Sequence, residues 1–367
     1  MKITGIEVRG YSLPLDPPFR AAWDPKPRTS FGETLVIVSS DAGLRGFAGG
    51  APVPDAKLME SLLLGRDADD TDGVYGICQT VDFHSGRNWT MEVAVWDLLA
   101  RAADQPLSQF LGGRSGGYRA YASTGERVGA EVRVERLLAW QEQGVGAAKL
   151  RFSHSDWRED LKVVEAAREA VGPGMELMVD ANQGWRMPGD LSSRWDLATA
   201  RDCAGALGEL GVYWLEEPFD TSDIESYAAL RASGLVRVAA GEMVRSLSET
   251  RRLVDSVDVI QNDVVLAGGV SGCRMVAGWA QEKNRVWSPH TWSTGLGLLA
   301  NLHVALAYST AEFIEVPYDP PAWTPERRDF MLPLPLQIGH DGCVAVPPGP
   351  GLGVEPDLEA LEQYRVA

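Results

Sequence analysis

Three short apolar runs in the middle of the chain each end on an acid. Leu177-Met178-Val179 runs into Asp180, Val212-Tyr213-Trp214-Leu215 into Glu216, and Val236-Arg237-Val238-Ala239-Ala240-Gly241 into Glu242. Apolar runs of this length read as short buried strands, and the patterns between them read as helices. Strands separated by helices lie parallel in one sheet, so their C-terminal ends share one rim. Asp180, Glu216 and Glu242 are therefore expected to converge. Three carboxylates in one cleft repel unless protonated or bridged by a cation. An all-oxygen set suits a hard divalent ion, Mg²⁺ first and Mn²⁺ second.

The rhythm extends well beyond these three. Strand-like segments near 118–122, 147–151, 177–180, 212–216, 236–241, 257–262, 285–289 and 312–316 alternate with helical patterns. In one of these, 156–171, Leu161, Val164, Ala167 and Val171 form a single stripe. Seven or eight repeats over about 200 residues predict a (β/α)₈-type barrel. A doubly wound open sheet is the weaker alternative, because no G-x-G-x-x-G follows the first strand and Gly268-Gly269-Val270-Ser271-Gly272 lacks that spacing.

Residues 1–115 break the alternation. Ile6 and Val8 alternate with polar neighbours, and 34–38 and 44–47 read as further strands. Between them lie a Pro-rich loop, 16–29, carrying Trp23, and a loop at Gly49-Gly50-Ala51-Pro52. A long helix is predicted over 89–111, closed by Gly112-Gly113. The organisation expected is an α+β unit over 1–115, a barrel over 116–322 and an apolar, Pro- and Gly-rich tail over 323–367 that returns to the first unit.

A hydrophobic content of 45% with 23% charged residues is enough for a large core. The net charge of −17 opposes nucleic acid or an anionic membrane as partner. It does not oppose a small anion, since a metal ion and a few Lys or Arg override the field locally. Cys78, Cys203, Cys273 and Cys343 are scattered without a C-x-x-C pair, which reads as reduced thiols in a cytoplasmic protein. No apolar run approaches a membrane span and no secretory signal is evident.

In a barrel, residues at the C-terminal strand ends face the active site. Those positions hold Lys149-Leu150-Arg151, with two cations on one side of the strand, then the three acids. After them come Gln261-Asn262-Asp263, Ser288-Pro289-His290 and Phe313-Ile314-Glu315. Cations and a histidine around a metal cluster suit the removal of a proton from a carbon next to a carboxylate.

Lys149-x-Arg151, Asp180, Glu216-Glu217-Pro218, Gly241-Glu242, Asp263 and Ser288-Pro289-His290 together resemble the enolase superfamily, and more narrowly its mandelate racemase subgroup. The resemblance covers the whole chain, including Val95-Trp96-Asp97-Leu98 and the turn from Gly349 to Val354. It implies an α/β fold: a modified (β/α)₇β TIM-type barrel with an N-terminal α+β capping domain completed by the C-terminal segment. The Trp23 and Gly49-Gly50 loops would then close over a substrate carboxylate. Asp180, Glu216 and Glu242 are implied as metal ligands, with Glu217 bracing them. His290, Asp263 and Lys149 are implied as catalytic, Asp263 accepting a hydrogen bond from one ring nitrogen so that the other exchanges a proton. Arg151, Glu315, Asn182 and Trp23 are implied as substrate contacts, with Trp292 beside them. The long step from Asp180 to Glu216 reads as an insertion over 186–195. His84, His154, His303 and His340 have no such companions.

One departure matters. The racemase pattern has Lys-x-Lys, whereas Arg151 stays protonated and makes a poor base. The reaction implied is therefore that of a metal-dependent hydro-lyase: dehydration of a sugar acid, an aldonate or aldarate, through an enolate to a 2-keto-3-deoxy acid. A racemase or epimerase of a 2-hydroxy acid and a non-catalytic barrel are the alternatives. A cycloisomerase of the muconate type would carry a lysine where Asp263 stands. A small-molecule carboxylate substrate and a homo-oligomer, dimer or octamer, complete the expectations.

Overall fold

The computed structural model describes residues 1–366. Strands β1 (Ile3–Phe19), β2 (Arg28–Ser40) and β3 (Arg45–Gly50) form an antiparallel sheet in that order. The helix Trp89–Ala102 presses so closely on this sheet that a Cβ at Gly46 would lie 2.2 Å from the Ala94 carbonyl oxygen. That helix is buried all round from Trp89 to Ala100, because its other side packs on the helix Gly269–Glu282. Its Glu92 accepts from the Val270 and Ser271 amides at 2.8 and 3.1 Å, so a carboxylate sits at that second helix's positive end.

Three local expectations change here. The helix predicted over 89–111 ends at Ala102 and a four-residue helix, Leu107–Phe110, follows. Pro106 forces the break, since it has no amide hydrogen and its ring clashes inside a helix. Much of the Pro-rich loop is strand, leaving only 20–27 irregular, and Gly49-Gly50 are the end of β3 rather than a loop. Helices Ala56–Leu63 and Thr71–Ser85 were not expected, because Gly73 and Gly76 weaken the second one's pattern.

Eight parallel strands follow: β4 (Gly117–Ser123), β5 (Ala147–Arg151), β6 (Glu176–Asp180), β7 (Leu215–Glu216), β8 (Val238–Ala240), β9 (Val259–Ile260), β10 (Val286–Trp287) and β11 (Ile314–Pro317). They pair in sequence order, and β11 pairs back with β4 over Ala120–Ser123, so the sheet curls into a barrel. Ser288 Oγ bridges the seam between β10 and β11 by donating to the Phe313 carbonyl at 3.0 Å. Tyr121, Ala147, Met178, Trp214, Ala239, Val259 and Phe313 plug the interior. The regular strands are shorter than the apolar runs. Glu242 lies two residues past β8, and Glu315 lies within β11 rather than at its end.

The tail serves both halves. Strand β12 (Cys343–Ala345) pairs antiparallel with β4, an attachment to the barrel that the sequence did not suggest. Beyond it the Leu352 amide donates to Asp97 Oδ1 at 2.5 Å, and Val366 donates to the Gly10 carbonyl at 3.0 Å. Among the described residues no helix is long and apolar enough to cross a membrane.

The helix Gly295–Tyr308 is buried from Gly295 to Leu306, and it buries His303 completely. His303 Nδ1 accepts from the Ser108 amide at 3.1 Å, and burial pushes its pKa down from 6.5 to about 4. The unfolded chain takes up this proton near pH 6.5 and the folded chain only near 4. Stability is therefore lost as pH falls through that window, by about 2 kcal/mol at pH 5. His303→Gln should show a smaller drop in urea midpoint between pH 7.5 and 5 than the wild type, measured by far-UV circular dichroism.

Candidate active site

β6 and β7 end on Asp180 and Glu216, which are register partners, and Glu242 follows just beyond β8. One carboxylate oxygen from each lies within 4.8 Å of the other two, and all three residues are buried. Gly241 makes the turn at φ 117°, where a Cβ would also meet Ile260 Cδ1 at 2.8 Å. That position takes only glycine.

One oxygen of each acid is oriented by a neutral donor. The Asn182 amide donates to Asp180 Oδ1 at 2.7 Å, Trp214 Nε1 to Glu216 Oε2 at 3.2 Å, and Trp185 Nε1 to Glu242 Oε1 at 2.6 Å. The other oxygens meet Arg151 at Asp180 and Lys149 Nζ, 2.6 Å away, at Glu216, while Glu242 Oε2 has no hydrogen-bond partner. Glu217 sits beside them at φ 45°, its carboxylate filling the space where Gly184 has no side chain. Neither of its oxygens has a partner, and burial, then Glu242, Asp180 and Glu216, push its pKa well above the ordinary range.

Acid outnumbers base in this buried region. Asp180, Glu216, Glu217, Glu242, Asp263 and Glu315 lie around Lys149, Arg151 and His290, all of them buried or nearly so, with the half-buried Arg87 near Asp263 and Glu242. Burial raises Asp180, with Arg151 pulling back, and raises Glu216, with Lys149 pulling back. Six carboxylates, with oxygens of Glu242 and Glu217 unpartnered, form a donor set that fits a divalent cation held by Asp180, Glu216 and Glu242.

Lys149 is fully buried, its Nζ 2.6 Å from Glu216 and 2.8 Å from Glu315, and it does not reach the cavity above. Burial alone would lower its pKa, but these two carboxylates raise it. Burial also opposes ionisation of Glu315, yet Lys149, His290 and Arg151 hold it down at about 2. The Arg151 guanidinium donates to Asp180, to Ser123 Oγ at 3.1 Å and to the Thr124 carbonyl at 2.9 Å. It also lies 4.7 Å from the Trp23 ring centroid and 5.6 Å from that of Trp292.

His290 Nδ1 is 3.1 Å from Asp263 Oδ2. The other oxygen of Asp263 accepts from the Val265 amide and Asn301 Nδ2, both at 2.9 Å, so the carboxylate cannot swing. His290 Nε2 points toward the acid cluster, 3.5 Å from Glu242 Oε2. Burial disfavours its charge, but Glu242, Glu315 and Asp263 raise its pKa to about 9.

A cavity of about 260 Å³ opens above these groups. Arg151, Glu242 and His290 lie in its floor and Trp23 and Trp292 in its walls, while Arg28 and Glu33 reach in from β2. Asn182, at φ 51°, lines a neighbouring cavity of about 540 Å³ with Arg186 and Trp195 of the insertion. The structure thus groups the other predicted residues around one cavity and its floor, and sets Asn182 beside them. Sequence reasoning missed Glu33 and Arg87, which also line the first cavity. Glu33 opens an apolar run, where an acid looks like any strand-edge residue.

Residues 132–361 match the family model described as enolase C-terminal domain-like. The D-galactarolactone cycloisomerase of Agrobacterium fabrum is 29% identical, over 100% of this chain and 99% of its own length. The L-talarate/galactarate dehydratase of Salmonella typhimurium is 28% identical, over 79% of this chain and 74% of its own. A structure of that dehydratase liganded with Mg and L-lyxarohydroxamate covers 100% of this chain and 93% of its own, with TM-score 0.83 and 25% identity. An enolase-superfamily member from Polaromonas sp. JS666 covers 100% and 98%, with TM-score 0.86 and 27% identity. Racemases are also among the relatives. With the barrel, the strand-end acids and the His–Asp pair in place, the chain belongs to the enolase superfamily.

Proposed function

We propose that the protein is a Mg²⁺-dependent hydro-lyase that dehydrates a sugar acid, an aldonate or aldarate, to a 2-keto-3-deoxy acid. The observation that carries this reading is one histidine, His290, lining the cavity beside a cluster of three buried acids that suits a divalent cation. His290 offers Nε2 to the cavity while Asp263 fixes Nδ1. The second cationic position on β5, by contrast, is a guanidinium locked onto Asp180 and two tryptophan rings. Arginine there cannot accept a proton from the opposite face of a substrate.

Asp180, Glu216 and Glu242 would hold the ion, which when bound draws the substrate carboxylate in and makes its α-proton more acidic. His290 Nε2 takes that proton. Arg151 meets substrate oxygen from the floor of the cavity, and Lys149 and Glu315 balance the charge of the acid cluster from beneath. Trp23 and Trp292 wall the cavity and limit water. Departure of the β-oxygen completes the elimination.

A second reading shares the same first step. The full-length similarity to a galactarolactone cycloisomerase favours a substrate whose β-oxygen is a lactone ring oxygen rather than a hydroxyl. Racemisation is disfavoured by Arg151 for the reason given.

A panel of aldonates, aldarates and their lactones with Mg²⁺ should give a 2-keto-3-deoxy acid from at least one member, detected as its semicarbazone. A blank across the panel, in protein shown to bind Mg²⁺, would count against the reading. His290→Asn should lose roughly 10²- to 10⁴-fold in kcat while binding Mg²⁺ normally. Glu242→Gln should weaken Mg²⁺ binding in calorimetry by about tenfold or more, since it removes a charged ligand and leaves the acid excess reduced.

A further inference from the structure

Elimination needs an acid as well as a base, because a hydroxyl leaves as water only when a proton reaches it. Neither cation on β5 can supply that proton. Arg151 does not release one, and Lys149 lies below the cavity on Glu216 and Glu315. The other carboxyl-bearing residue that lines the cavity with Glu242 is Glu33, on β2 of the antiparallel sheet. It is 7% exposed, and its Oε1 has no hydrogen-bond partner.

Neither Arg28 nor Arg87, which line the cavity with Glu33, pairs with it. Arg28 Nε lies 3.0 Å from Asp24 Oδ2, and Arg87 Nη2 donates to the Met243 carbonyl at 3.2 Å while Arg87 Nε has no partner. Among the described residues Glu33 joins no ion pair. A buried carboxyl without a cation favours its protonated form.

We propose that Glu33 is the general acid of the elimination, donating its proton to the departing β-oxygen from the capping-domain side of the cavity. This rests on the dehydratase reading. His290 Nε2 takes the α-proton, and the C–H electron pair becomes the Cα=Cβ bond. The Cβ–O bond breaks with its pair staying on oxygen, which takes the Glu33 proton and leaves as water. Glu33 remains as a carboxylate, and the enol tautomerises to the 2-keto-3-deoxy acid. Solvent then returns the proton from His290 to Glu33.

Two features support a protonated Glu33. Burial first, then the charge of Asp263 behind His290, push its pKa up to about 8, while the Thr294 amide pulls the other way. The other charged groups lining the cavity are Arg28 on the same strand and Arg87, Arg151, Glu242 and His290 from other elements. The chemistry also sets a limit. A lactone acyl oxygen leaves as a carboxylate and needs no proton, so Glu33 matters only when hydroxide is the leaving group.

The test compares wild type with Glu33→Gln and Glu33→Asp, Mg²⁺-loaded. The probes are galactarate, D-gluconate and D-arabinonate, and D-galactarolactone as the lactone. Glu33→Gln should retain wild-type α-proton exchange in D₂O and lose dehydration by about 100-fold or more. Glu33→Asp should recover part of it, and opening of the lactone should stay within about threefold of wild type. In the substrate-free protein at pH 7, the infrared difference spectrum of wild type minus Glu33→Gln should contain a protonated-carboxyl band. Undiminished dehydration, equal loss of exchange and dehydration, or absence of that band would each overturn the assignment. Absence of exchange and turnover in the wild type itself would instead overturn the dehydratase reading, and the acid with it.

Discussion

Six acids share a buried region with Lys149, Arg151, one histidine and, at its edge, Arg87, and this imbalance is the constraint on which the rest of the structure depends. Isolated, such charges would cost far more than the fold's net stability. The protein contains them by geometry. Each of the three clustered acids has one oxygen tied to a backbone amide or a tryptophan N–H, so neither the angle nor the spacing of the carboxylates is left to chance. Lys149 and Arg151 then neutralise the side facing the barrel interior, leaving the unpartnered Glu242 oxygen near His290. A fold that met only the needs of packing would have placed apolar side chains here, as it does one layer below at Met178 and Trp214.

The parallel barrel makes this possible at modest cost in sequence. Every strand contributes its end to the same rim, so residues from 149 to 315 meet without any long-range pairing beyond the sheet itself. The antiparallel N-terminal domain supplies the opposite wall, with Phe31 and Glu33 on β2 and Trp23 in the turn before it. Chemistry and enclosure are thus carried by different parts of the chain.

That division explains what could be read in advance. An apolar run ending on a polar residue is a local signal. Repeated in series it predicted the barrel, and where it ended on acids it predicted the meeting of Asp180, Glu216 and Glu242 in one cluster. The exact strand ends were less legible. Of the run before Glu216 only Leu215 is regular strand, although the Tyr213 amide still donates to the Leu177 carbonyl at 2.7 Å. The depth at which Lys149 lies was not legible either, because alternation shows which face a side chain takes but not how deep it sits. Glu33 and Arg87 were invisible, since only the docking of one domain on the other brings them to His290. The break at Pro106 could have been read from the residue itself, but the apolar pattern continued across it.

The outer edge of β1 carries a different lesson. Its Tyr11 is bridged by Arg365, and its Gly10 carbonyl accepts from Val366. Near Ile3 that edge is bonded by Gly65 and Arg66, but at Gly10 and Tyr11 it is covered by a segment more than three hundred residues later. Without that segment this part of the hairpin would present bare backbone amides and carbonyls, a template for pairing with other chains. Pro14, Pro17 and Pro18 further along the same strand carry no amide hydrogen, so the stretch beyond the covered edge is a poor template for such pairing.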